Sequence, residues 1–189
     1  YAQSPREQLN QMVQQLQKTP NDNALREKII KLAKSIKPAP AISEEANRAF
    51  VKGNVFQKEA KDSSGYELAI AAYRDALRSA PWWGDAYFNL AVALEAAGKF
   101  DEAIASIRNY TASVAAGNAE HRDAQNKIYA LEAKSEMAAK AKQDIQAKQD
   151  TQIVPGQLIG MITVVMAHGN LRQTLGEPSE TYNIGSWWR

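Results

Sequence analysis

A displacement of 34 residues constrains this chain more than any other feature. Tyr66, Ala69, Ile70, Tyr73 and Ala76 return as Phe100, Ala103, Ile104, Ile107 and Tyr110, each 34 positions further on. Upstream, Gly53-Asn54-Val55-Phe56 corresponds to Ala91-Val92-Ala93-Leu94, displaced by 38. The four extra residues are expected in the polar stretch 59–65, where a longer loop adds little closure entropy. A period of this length is that of a helix–turn–helix unit repeated in tandem, each unit covering the apolar face of the next. Ala69 and Ala103 are small where paired helices cross, because a larger side chain would push the helices apart.

The ordered set resembles the tetratricopeptide repeat family. The second copy presents Tyr87, Leu90, Ala91, Leu94, Gly98, Phe100 and Ala103 in register. The first presents Gly53, Phe56, Tyr66, Ala69, Tyr73, Ala76 and Pro81, with Ala49 where the family prefers Trp. The resemblance covers about residues 43–117. It implies an all-α helical solenoid in which the first helix of each pair lines a concave surface. Asn54 and Asn89 then match the two asparagines with which chaperone-adaptor members hold a peptide main chain. An amide suits that role because it both donates and accepts. Arg122 adds a cation from the following helix, whereas Phe50 stands where those adaptors carry Lys. The plainer alternative makes Asn54 and Asn89 ordinary polar residues on helix surfaces.

The flanks follow different rules. Residues 1–40 read as a helical hairpin and a proline linker. Ser4, Pro5 and Glu7 form a capping-box pattern ahead of Leu9, Met12, Val13 and Leu16. Asp22 or Asn23 caps a second helix carrying Leu25, Ile29, Leu32, Ala33 and Ile36, which Lys37-Pro38-Ala39-Pro40 ends. The two repeats are expected over 41–118. A capping and extended helix follows over 119–150, with Ala124, Ile128 and Leu131 covering the exposed end of the solenoid. Beyond Lys134 it turns Ala/Lys/Gln-rich, with only Ala138 and Ile145 as a thin apolar line.

Residues 151–189 hold only four charged side chains and read as a small β-rich appendage. Residues 159–166 are apolar and β-branched, Gly169-Asn170 is a hairpin signal, and 171–175 and 181–188 read as further strands. Three short strands cannot cover a segment apolar on both faces. Ile159, Met161, Val165, Trp187 and Trp188 are therefore the expected partner contacts, through strand addition or docking.

Composition removes several functions. With no Cys and only His121 and His168, thiol catalysis, iron–sulfur clusters and Cys- or His-rich metal sites are excluded. A net charge of +2 lacks the basic excess of a nucleic-acid binder. No apolar run is long enough to span a bilayer. No nucleophile elbow, metalloprotease motif or phosphate loop occurs, so neither catalytic residues, nor a cofactor, nor a metal is expected. Two functions stand. The first is a non-enzymatic scaffold that binds a protein or peptide. The second is a structural subunit, as of an extracellular filament, that assembles with copies of itself through its C-terminal strands. The opening Tyr1-Ala2-Gln3-Ser4-Pro5 suits the mature end of an exported bacterial protein, periplasmic or extracellular, and equally a boundary chosen for expression; a cytoplasmic home stays open.

Overall fold

The computed structural model describes residues 3–151, with side chains described as far as residue 149. Among these residues there are seven helices and no strand. They are α1 (Pro5–Lys18), α2 (Asn23–Ser35), α3 (Glu44–Glu59), α4 (Ser63–Ser79), α5 (Gly84–Ala96), α6 (Phe100–Ser113) and α7 (Ala119–Thr151). The described part is thus all-α. The expected β-rich segment, with Ile159, Met161, Val165, Trp187 and Trp188, lies outside the described residues. No described helix is long and apolar enough to cross a membrane.

Side-chain caps set most helix starts. Ser4 accepts from the Glu7 N–H while the Glu7 carboxylate accepts from the Ser4 N–H, closing the capping box. Asp22 takes the Leu25 N–H at 2.9 Å, and Ser43 takes that of Ala46 at 3.2 Å. Glu44 and Glu45 occupy the first turn of α3, and Asp101 and Glu102 that of α6, where carboxylates favour the helix dipole. At the end of α5, Gly98 adopts φ +74°. Its N–H reaches the Glu95 carbonyl and the Lys99 N–H reaches that of Leu94, the paired bonds of a Schellman motif.

The four extra residues of the first repeat are helical rather than looped. Asp62 caps α4 by accepting from the Gly65 N–H at 3.0 Å. That starts the helix at Ser63, a turn earlier than the corresponding start of α6 at Phe100. Ser63-Ser64-Gly65 form this added turn, and α3 runs one residue further, to Glu59. Both connections are then equally short, at residues 60–62 and 97–99. The expectation of a long polar loop failed because a strong cap was available inside it.

Helix α3 packs on α4, α5 on α6, and α4 on α5. Their shared core includes Ile70, Tyr73, Leu77, Leu90, Leu94, Ile104 and Ile107. Ala69 and Ala103 are fully buried, as close helix crossings require. Ala124, Ile128 and Leu131 of α7 close onto the same core. A second cluster joins α1 to α2 through Leu9, Leu16, Leu25, Ile29, Ala33 and Ile36. Helix α2 also packs against α6, with Ile30 entering the main core. Each such large apolar side chain stabilises by roughly 1.5–3 kcal/mol. The adjacent Trp82 and Trp83 divide between the two clusters, Trp82 against the hairpin and Trp83 against the main core. One compact unit extends from the N-terminal hairpin to Ala139, within α7.

Candidate functional site

Helices α3 and α5 bring the two expected asparagines together. The Asn89 amide donates from Nδ2 to Asn54 Oδ1 at 3.0 Å. The Tyr73 hydroxyl, from α4, lies 2.9 Å from Asn54 Oδ1 and 2.9 Å from Gln57 Oε1. Three helices therefore share one small polar network. Burial pushes the Tyr73 phenol up to about 12, with the Asn89 amide pulling the other way. The ring is fully buried, so its hydroxyl fixes the inner side of Asn54 while that residue stays exposed to solvent.

Gly53 makes this approach possible. A Cβ there would stand 2.5 Å from Cε1 of Tyr73, inside any tolerable contact. The glycine lets the Tyr73 ring lie against the α3 backbone and reach Asn54 one residue on.

Phe50 is half-buried, with its ring centroid 4.4 Å from that of Trp83 and 5.8 Å from that of Tyr73. These tilted pairs make it part of the packing between α3, α4 and the start of α5. Arg122 lies exposed in the first turns of α7, and among the described residues it forms no ion pair. No contact ties it to the asparagine pair. Phe50, Asn54 and Asn89 thus share one neighbourhood around Tyr73, and Arg122 is not drawn into it by any bond.

Exposed apolar side chains missed by pattern reading lie on the same helices. Val51 and Val55 follow one another at helical spacing on α3, each about half exposed. Phe88, next to Asn89, is 41% exposed and rests on Tyr110 at 5.3 Å between ring centroids. The only signal for them in the sequence is an i, i+4 apolar pair that a core position would also give.

A cavity of about 710 Å³ opens elsewhere, between the α1–α2 turn and helices α4, α5 and α6. Its lining includes Arg26, Arg74 and Arg78 over Leu77, Leu90 and Leu94. Nothing in the repeat pattern pointed there, because it needs the hairpin to dock on the repeats. Among the described residues, no group of His, Asp or Glu is arranged to hold a metal ion. The His121 N–H is taken up by the Asn118 side chain at 2.7 Å, at the start of α7.

No protein-family model, no curated protein and no solved structure matches this chain.

Proposed function

We propose that residues 43–131 are a tetratricopeptide-type solenoid that binds an extended internal segment of a partner protein along α3 and α5. The observation that carries this reading is the Asn54–Asn89 hydrogen bond. Two amides from separate repeats meet at 3.0 Å, one exposed and one half-exposed, with Asn54 steadied from within by Tyr73. A peptide main chain offers the same donor and acceptor groups, so it replaces their mutual bond nearly like for like. Val51 and Val55 supply apolar surface beside them for the ligand's side chains. Phe50, packed against Trp83, stands where a clamp for a terminal carboxylate would carry Lys, which favours an internal segment over a chain end.

The test is selection of short random peptides on phage against the full chain, followed by calorimetry of the best binder. Asn89→Ala should weaken binding about tenfold, the worth of a lost hydrogen bond with a stranded partner. Its thermal melt should hardly move, because the Tyr73 hydroxyl still has an amide oxygen, of Asn54 or Gln57, to donate to. Failure to select any peptide above background, or an Asn89→Ala variant that binds as tightly, would overturn the reading.

A further inference from the structure

The cavity between the α1–α2 turn and the repeats is lined by an arginine, Arg26, that forms no ion pair among the described residues. Arg26 is half-buried in its wall. Its Nη1 donates to the Tyr87 hydroxyl at 3.3 Å and its Nη2 to the Pro20 carbonyl at 2.5 Å. Both acceptors are neutral. The acid one turn earlier, the N-cap Asp22, accepts the Leu25 N–H on Oδ1 and makes no ion pair with Arg26. The other two arginines of the lining are neutralised, Arg74 by Glu102 and Arg78 by Asp75.

A partly desolvated guanidinium without a counter-charge is costly, and an anion that joins it recovers that cost. Arg26 has donors to spare, since only two of its five N–H bonds are committed. Its planar fork is shaped for a carboxylate. A doubly charged phosphate monoester would need a second free cation, and the other two arginines of the lining are already paired, whereas a monocarboxylate needs only Arg26. Leu77, Leu90 and Leu94 line the same cavity and give it an apolar side. Ala105 on α6 is small and half-buried at the lining, which keeps the space open. The volume falls in the ordinary range of small-molecule sites.

We propose that this cavity binds a small amphipathic monocarboxylate, its head on Arg26 and its apolar body on the leucine side. The site is separate from the asparagine pair, and neither proposal depends on the other.

The experiment titrates the full chain with 4-phenylbutyrate, 4-phenylbutanol and butyrate, followed by calorimetry and by the rise in melting temperature that ligand binding produces. Saturable binding of phenylbutyrate is expected, at least about tenfold tighter than the neutral alcohol and than butyrate, from one charged hydrogen bond and the lost apolar burial respectively. Arg26→Gln should weaken phenylbutyrate to the level of the alcohol. Because that change also loosens the grip on Tyr87, a second variant is needed. Ala105→Leu narrows the α6 side of the cavity without removing Arg26 and should weaken phenylbutyrate binding several-fold while the apo melt stays near wild type. The proposal is overturned if phenylbutyrate does not saturate at millimolar concentration, if the alcohol binds as tightly as the acid, or if both folded variants bind like wild type.

Discussion

Helices α3 and α5 occupy corresponding places, 38 residues apart, and are filled in opposite ways. Helix α5 buries Ala86, Tyr87, Leu90, Ala91, Ala93 and Leu94, whereas α3 buries only Ala46 and Gly53. Position by position, Ala49 stands for Tyr87, Lys52 for Leu90 and Gln57 for Glu95. Phe56 is 37% exposed where Leu94 is 1% exposed. The difference follows from the neighbours. Helix α5 packs on α4 and α6 and is bridged to α7, while α3 rests mainly on α4. A repeat template states which faces could be buried; the presence of a neighbour decides which are worth filling with large side chains. An outer helix that kept α5's leucines would present them to water.

The largest expected contrast is between Leu94→Ala and Phe56→Ala. Leu94 is enclosed, so its truncation leaves a cavity and should cost about 2–5 kcal/mol in denaturant unfolding. Phe56 keeps much of its ring in solvent and should cost under about 1 kcal/mol. Equal losses would mean that α3 is as enclosed as α5, and the comparison would fail.

The next contrast concerns how each pair closes. In the first pair a glycine, Gly53, meets a full ring, Tyr73. The corresponding residues of the second pair are Ala91 and Ile107, both fully buried. One methyl is added on one side and ring volume is removed on the other. Gly→Ala inside a helix normally stabilises by about 1 kcal/mol. Here the added Cβ would stand 2.5 Å from a ring with no room to retreat, so Gly53→Ala should instead destabilise by about 1–3 kcal/mol. Adding Tyr73→Ile reproduces the second pair's combination and should recover part of that loss, read as a partial return of the melting temperature. If Gly53→Ala alone raises the melting temperature, the close approach at Gly53 does not limit the packing.

Much of this architecture was legible in the sequence. Small residues spaced 34 apart announced two fully buried positions, Ala69 and Ala103, and Ser4 with Glu7 announced a capped start, because both rest on the spacing of residue types. The burial of Ala124, Ile128 and Leu131 was readable because they recur at helical spacing along one face. Side-chain bonds across distant segments were not readable. Arg26 meets Tyr87 across 61 residues, and only the docking of α2 on the repeats brings them together. Phe50 read as a groove residue, and the contact of its ring with Trp83 was not legible, because that partner depends on where the inter-repeat turn runs. The asparagines were identified one by one. That they bond to each other follows from the distance between α3 and α5, which no pattern encodes.

The smallest expected effect, and the sharpest for the comparison, lies at Gln57 and Glu95. Gln57 is neutral and turns inward to the Tyr73 hydroxyl. Glu95 receives Lys127 and Lys134 of α7, each at 2.5 Å. Burial pushes the Glu95 carboxyl up, but the hydrogen bonds and charges of the two lysines outweigh it and hold the group below its ordinary value. The sign follows directly. The stabilisation is fully present above the ordinary carboxylate value of 4.5 and is lost as pH falls through the lowered folded value. Lys134 is half exposed, so screening keeps the whole effect at about 1 kcal/mol or less. Glu95→Gln, which gives α5 the residue α3 carries, should flatten the acid limb of stability between pH 5 and 3 while leaving Tyr73 and α3 untouched. Unfolding curves at a series of pH values read this directly. An acid limb as steep in Glu95→Gln as in wild type would show that the lysine bridge does not anchor α7 to α5.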